Sequence, residues 1–483
     1  MKLTRPFFVL FFPLFFVFHG FVEHFFFVSV KSAILLAGVY LMVAIVLTAF
    51  LYLISRSIHV AAITAAILLL FEFFFGHLHD LLKESGLFLA KYSLLLPLLA
   101  LLALAAFIGL KKARDLSRLT IYLNLLFLVL IGIDAVSLVL RALKDESGNR
   151  TELPLGSRCA DCPRPDFYVI TLDGYAGGAQ LRDQFAFDNG EFFRELKARG
   201  FHVVPKSESN YDSSPSSMAS AFDMEYLEVE ERDNMRRRGH RDAFRRINAN
   251  KLMRFLEVHG YRVFNHSVFR VRGQAAPIGE SFVPANARMI TDRTLSTRFR
   301  KDVLINLATR LKWRRCLERS MFATHRGNRE LYERTLGTAR SRGEPPKFVY
   351  THLMMPHHPY YYNEHGQMFS YDELTRTALG DKERYLSYLK FTNRHVLSLT
   401  DSIFRHSPNP PIIVILSDHG FRYFPVDYRR YAFSNLLAVH LPSRNYRQFP
   451  DSMSNVNLFR AVLNSSFRQQ LPMLGDSTFV VKF

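Results

Sequence analysis

The sequence predicts two architectures in one chain: an N-terminal α-helical transmembrane bundle, then a C-terminal α/β domain with a mostly parallel sheet flanked by helices. Three observations carry that prediction. Residues 1–150 are rich in Phe, Leu and Ala and hold only 13 Lys+Arg and 8 Asp+Glu, whereas the rest of the chain holds 49 and 35. The second part alternates short β-rich runs with amphipathic helical stretches, the pattern of a sheet covered by helices. Its strongest run, Pro411-Ile412-Ile413-Val414-Ile415-Leu416, is apolar throughout, as a strand buried on both faces must be. At 483 residues the chain is too long for one ordinary domain. A 22% charged fraction excludes wholesale disorder, and three cysteines exclude a disulfide-built scaffold.

A spanning helix needs about 20 mainly apolar residues. Five segments qualify as candidates: 7–28, 33–55, 58–76, 87–110 and 119–141, the first interrupted by Glu23 and His24. A cleaved signal peptide fits poorly, because the apolar region is too long and further apolar segments follow. Lys111-Lys112-Ala113-Arg114-Asp115-Leu116-Ser117-Arg118 is a short cationic loop of the kind retained in the cytoplasm. Lys2, Arg5 and Arg56 agree with it, so the chain after about residue 142 is expected on the extracytoplasmic side. The organisation expected is a five-helix membrane domain over 1–142, a linker over 143–164 and an extracytoplasmic catalytic domain over 165–483. Two acids, Glu72 and Asp134, fall inside candidate spans. Such residues are functional candidates by default, but helix–helix hydrogen bonding explains them as well, and they stay outside the expected site. In the linker, Cys159 and Cys162 lack the partner pair that structural zinc would need, which leaves a local disulfide or two free thiols.

In the second part, Phe167–Leu172 reads as a strand ending at Asp173-Gly174. Residues 189–199 read as a helix stopped by Gly200, before a strand at Phe201–Val204. The pattern repeats with a helix over 250–259 and a strand at Tyr261–Phe264. Lys347–Leu353 is a further strand, and residues 382–405 form a long helix before the apolar strand. Sites in such sheets collect at the carboxyl ends of strands.

Three strand ends finish in residues able to bind metal: Leu172-Asp173-Gly174-Tyr175, the run from Thr351-His352 to His357-His358-Pro359-Tyr360, and Leu416-Ser417-Asp418-His419-Gly420. Between the first two lies Asn210-Tyr211-Asp212-Ser213-Ser214-Pro215-Ser216-Ser217, a hydroxyl-rich helix start. Asp oxygen and His nitrogen suit zinc or manganese. A serine at a helix N-terminus can join the metal and serve as nucleophile, where helix amides also favour a phosphate or sulfate. Each element alone has an ordinary explanation as a turn or a cap. The four together, in this order, are much harder to reach by chance.

That ordered set resembles the alkaline phosphatase superfamily, in particular its membrane-anchored sulfatase-like branch. Phosphoethanolamine transferases and lipoteichoic acid synthases belong to this branch and likewise place five spans before an external catalytic domain. The resemblance runs from the spans to about residue 475 and is densest in Pro165–Gly178, Ser209–Leu227, His352–Tyr362 and Ile412–Gly420. It implies an alkaline-phosphatase-like α/β fold and one divalent metal ion, zinc or manganese. It further implies that Asp173, Ser214, Asp418 and His419 hold the metal, with Ser214 as nucleophile and Ser213 as its rival. His357 matches the substrate-side catalytic histidine of a His-x4-His-x-Pro pattern, a role His358 can also fill. Asn210, His352 and His358 are expected to bind substrate. Two departures stand out: Ser replaces the usual Thr nucleophile, and no His follows the Asp-His-Gly turn closely, the next being His440. Sulfatases matured to formylglycine need Cys or Ser, then x-Pro-x-Arg; Ser213-Ser214-Pro215-Ser216-Ser217 lacks the Arg, which argues for a serine route.

The expectation is therefore a metal-dependent, inner-membrane transferase. It moves a phospho-group, such as phosphoethanolamine or glycerophosphate, from a membrane phospholipid to an envelope glycan or lipid through a seryl intermediate. A hydrolase using water and a non-catalytic ligand-binding member are the alternatives. Arg232–Arg254 carries eight arginines. The extracytoplasmic placement argues against nucleic acid there and favours anionic lipid headgroups or a phosphorylated glycan, with a solvated helix face as the ordinary alternative.

Overall fold

The computed structural model describes residues 4–25, 28, 30–113, 115–146, 162–227, 235–274, 276, 277, 288–311, 313–341, 343, 345–424 and 428–481. Most of the expected linker, Cys159 and Arg232 lie outside the described residues. The chain forms two compact units, Met1–Arg150 with Pro284–Leu317, and Thr151–Val283 with Glu318–Phe483. The stretch at 284–317, read from sequence as part of the catalytic domain, instead packs with the apolar helices.

The first unit contains α1 (Phe8–Glu23), α2 (Val30–Ser55), α3 (Ile58–Glu84), α4 (Tyr92–Lys112) and α5 (Ser117–Glu146). Four of these, α2 to α5, are long and apolar enough to cross a membrane. The first expected span, 7–28, corresponds among the described residues to α1, which is shorter than the other four. Its 16 residues reach only about 24 Å at 1.5 Å per residue, short of the ~30 Å of hydrocarbon. Instead α1 is wedged among the others: Phe16 stacks on Phe73 of α3 with ring centroids 4.0 Å apart, and Phe12 packs on Phe127 of α5. Both intramembrane acids have structural partners. Asp134 meets His19 of α1 at 3.1 Å, and Glu72 accepts hydrogen bonds from the backbone N–H and hydroxyl of Ser296.

The second unit is built on a six-stranded sheet made of β1 (Phe167–Leu172), β2 (His202–Val203), β3 (Arg262–His266), β4 (Lys347–Leu353), β5 (Ile412–Ser417) and β6 (Leu437–His440). The strand order is β2-β6-β5-β1-β4-β3. The β3–β4, β4–β1 and β1–β5 pairs are parallel, and only β6 runs against its neighbours. Every residue of β1, β4 and β5 is buried, which is why β1 and β5 read as nearly continuous apolar runs. Helices at Gly190–Ala198, Lys251–Val258 and Lys382–His406 lie within a residue or two of their sequence expectation. The observed sheet is the mixed, mostly parallel one expected.

The register positions the site. Leu172 of β1 pairs with Ser417 of β5, so Asp173 and Asp418, each the next residue, leave the sheet at the same level. Thr171 pairs with His352 of β4. Because side chains alternate along a strand, Asp173 belongs to the same face as Thr171 and therefore as His352. Helix α6 (Ser214–Asp223) begins beside these strand ends and is buried along its whole length.

Candidate metal centre

Two strand ends, one strand interior and one helix start converge. Carboxylate oxygens of Asp173 and Asp418 and a ring nitrogen of His352 all lie within 4.8 Å of one another. His352 Nε2 is 3.6 Å from Asp173 Oδ2. His419 Nε2 is 3.9 Å from Asp173 Oδ1 and 3.6 Å from Asp418 Oδ2. The Ser214 hydroxyl, in the first turn of α6, is 3.5 Å from both Asp173 Oδ2 and His419 Nε2. Asp173, His352 and Asp418 are fully buried, and His419 and Ser214 nearly so.

The local backbone holds these groups at fixed angles. Gly174 adopts φ +67°, a left-handed conformation natural to glycine, and turns its N–H onto Asp418 Oδ1 at 3.1 Å. The N–H of His419 donates to the same oxygen at 2.9 Å. Asp418 Oδ1 is thus satisfied, while Oδ2 is left toward Asp173 and His419. His419 Nδ1 sits 2.8 Å from the Gly420 carbonyl, which fixes the ring proton there and leaves Nε2 as an acceptor. His352 Nδ1 is held 3.0 Å from the Tyr350 hydroxyl.

Three buried atoms of this cluster have no hydrogen-bond partner among the described residues: Asp173 Oδ1, Asp418 Oδ2 and His352 Nε2. Orphaned buried polar atoms are costly, and a converging set of them fits an ion. Burial pushes the Asp173 carboxyl up, but His357, His352 and His419 outweigh it and hold the group well below the usual carboxylate range. Burial lowers the His419 imidazole against the pull of Asp418 and Asp173. Ionised carboxylates and neutral imidazoles are the forms that ligate a divalent cation. Oxygen and nitrogen donors in this number suit zinc or manganese.

The expected ligands Asp173, Asp418 and His419 and the nucleophile Ser214 are brought together. His352, expected to bind substrate, is placed beside Asp173 and Asp418 by the strand pleat. Ser213, the rival nucleophile, has a buried hydroxyl with no partner among the described residues; neither Asp173 nor His419 is paired with it. Asn210, expected to bind substrate, makes structural hydrogen bonds here. Its Oδ1 accepts the Val456 N–H at 2.7 Å and its Nδ2 donates to the Ser477 carbonyl at 2.9 Å, so both ends of the amide are occupied. His440 sits opposite Ile413, at the far end of β5 from Asp418, with Nδ1 2.8 Å from the Pro411 carbonyl. It does not complete a second metal position.

His357 and His358 line a small cavity with Gly174, His419, Tyr385 and Tyr423. His357 Nδ1 is 2.6 Å from the His358 carbonyl, which assigns the ring proton to Nδ1. Its Nε2 then accepts from the Tyr423 hydroxyl at 2.8 Å. The His358 ring is held below its ordinary range mainly by burial. Sequence reasoning missed Tyr423. It lies in an aromatic stretch, Phe421-Arg422-Tyr423-Phe424, whose pattern gives no sign of which ring faces the site.

The Sulfatase family model matches residues 224–462, a stretch that includes His352, His357, Asp418 and His419 but stops short of Asp173 and Ser214. No curated protein matches the chain. Among solved structures, the zinc complex of the C-terminal periplasmic domain of EptC from Escherichia coli is 11% identical, covering 67% of this chain and 91% of that one, at a TM-score of 0.41. The corresponding domain of the phosphoethanolamine transferase EptC from Campylobacter jejuni is 12% identical over 65% and 93%, at 0.34. The phosphonate monoester hydrolase of Agrobacterium radiobacter is 12% identical over 64% and 74%, at 0.36.

Proposed function

We propose that this sulfatase-like hydrolase/transferase of the alkaline phosphatase superfamily moves a phospho-group from a membrane phospholipid to a cell-envelope glycan or lipid by way of Ser214. The observation that carries the reading is the set of buried, unpartnered donors at Asp173, Asp418 and His352, with the Ser214 hydroxyl 3.5 Å from Asp173 and His419. Asp173, His352, Asp418 and His419 would hold a divalent ion, which when bound would supply positive charge to lower the pKa of the serine hydroxyl and offset charge on the transferring group.

The chain's own groups do the rest. Ser214 Oγ attacks phosphorus, a P–O bond to the leaving alcohol breaks, and the phospho-group remains on Ser214. An acceptor hydroxyl then attacks the same phosphorus and Ser214 Oγ leaves. The first-turn amides of α6 favour the anionic group on its first residue. Tyr423 and His357 share a proton across 2.8 Å at the cavity wall and serve the leaving and attacking oxygens.

The cationic Lys111–Arg118 loop supports an extracytoplasmic position for the chain after α5, with or without α1 as a span. Cys162 is disulfide-bonded, as suits an oxidising compartment. The reading is a multi-pass inner-membrane protein with an extracytoplasmic catalytic unit, so that tethering raises the effective concentration of a lipid donor.

The test incubates the full chain in phospholipid nanodiscs with zinc or manganese, then seeks a phospho-adduct by mass spectrometry. The adduct is expected on Ser214, with Ser214→Ala losing turnover on the order of 10³-fold or more while Ser213→Ala retains most of it. An adduct on Ser213, or equal turnover in Ser214→Ala, overturns the assignment. Product formation that requires an added envelope acceptor supports transfer; release of free phospho-headgroup at the same rate without acceptor gives the hydrolase reading instead.

A further inference from the structure

The stretch at 288–317 has a role that the catalytic reading does not use. Its first half is fastened to α3. The Gly76 N–H donates to the Arg293 carbonyl at 2.7 Å, Glu72 accepts from Ser296, and Arg298 meets Asp80 at 2.8 Å. A Cβ at Gly76 would come within 2.5 Å of the Arg293 oxygen, so this close approach depends on glycine. One turn further on, Tyr92 at the start of α4 donates to Asp302. The helical run from Phe299 to Arg310 then begins at the membrane helices.

That run is amphipathic. Leu304, Leu307 and Leu311 recur at helical spacing on one face and are 40%, 38% and 52% exposed, and Trp313 just beyond is 52% exposed. Arg300, Lys301, Arg310, Arg314 and Arg315 are exposed around them, with Asp302 as the acid of the stretch. Exposed leucines beside a tryptophan and a cluster of arginines are the composition of a helix lying in a bilayer interface. The stretch is attached to α3 and α4, helices that themselves expose apolar side chains such as Leu78 and Leu101.

We propose that the stretch from Phe299 to Arg315 is an interfacial anchor that seats in the headgroup layer of an anionic bilayer, with Leu304, Leu307, Leu311 and Trp313 inserted and the arginines on lipid phosphates. The anchor is independent of the chemistry at Ser214. It gives the membrane unit a lateral lipid contact beyond its spanning helices.

Trp313 is the chain's one tryptophan, so the test needs no substitution. The full chain is reconstituted in phosphatidylcholine–phosphatidylglycerol vesicles whose acyl chains are brominated at defined depths. The expected result is blue-shifted emission, weak quenching by aqueous iodide, and roughly a twofold loss of intensity with bromines near the headgroup, less with bromines near the chain end. Solvent-like emission quenched by iodide overturns the anchor. Blue-shifted emission quenched by neither agent overturns it too, because protein, from the catalytic unit or a second copy, then covers the tryptophan. Lipid quenching should weaken when phosphatidylglycerol is replaced by phosphatidylcholine; an unchanged value overturns the role given to the arginines.

Discussion

At the scale of single residues, the candidate metal centre is backed by groups that lie behind the proposed ligands. The Tyr350 hydroxyl lies 3.0 Å from His352 Nδ1 and orients that ring toward Asp173. Burial drives the Tyr350 pKa well above its ordinary value, so the phenol stays neutral. Groups behind a ligand typically contribute about 10- to 100-fold in metal affinity or activity. Tyr350→Phe should therefore weaken zinc binding by that order, read by competition with a chelator, with little change in thermal stability of the metal-free protein. Undiminished affinity would remove His352 from the donor set. Asp173, Asp418 and His419 were legible in the sequence because each directly follows an apolar run, and a strand end announces itself locally. His352 was visible as a histidine but not as a ligand. The ligand role proposed for it depends on pairing with Thr171 across two strands far apart in sequence, a register that no local pattern encodes.

At the scale of elements, the turn after β5 works because Gly420 carries no Cβ and lets two backbone carbonyls close in beside it. A Cβ there would stand 2.3 Å from the Tyr431 carbonyl oxygen and 2.5 Å from that of Ser434, both backbone atoms with little freedom to yield. Gly420→Ala should displace the Asp418-His419 pair and lower bound metal several-fold, read by elemental analysis of the purified full chain beside wild type. Retention of full metal content would mean that the turn adapts. The long elements were readable because β1, β4 and β5 are buried on both faces and the Lys382–His406 helix keeps a 3.6-residue period over 25 residues. The strand expected at Phe201–Val204 survives only as His202–Val203, an edge pairing set by contact with β6 and not by its own sequence. The span expected over 7–28 shortened to α1 because hydropathy counts apolar residues without saying whether they meet lipid or other helices.

For the whole molecule, buried histidines set an acid limit. His266, hydrogen-bonded to Thr338 at 2.8 Å, and His395, stacked on Tyr332 at 3.9 Å between ring centroids, are both pushed down to about 4 by burial. An unfolded histidine titrates near 6.5, so below that pH the unfolded chain binds protons that the folded one refuses. The stabilisation is complete above about pH 6.5 and is lost as pH falls through 4. The melting temperature of the catalytic unit within the full chain should fall across that window, and replacing both histidines with Gln should flatten the slope; an identical slope would assign the acid sensitivity elsewhere. The division into two architectures was plain from composition, but the membership of 284–317 was not, since its arginines read as those of a soluble helix until its partners on α3 are seen. That stretch has a consequence for release from the membrane. The chain passes between its two units at residues 150/151, 283/284 and 317/318. A protease that severs the segment after α5 cuts the last covalent tie to the spanning helices, yet the catalytic unit stays joined to the stretch packed on α3, and shedding it then requires that packing to come apart or two further scissions.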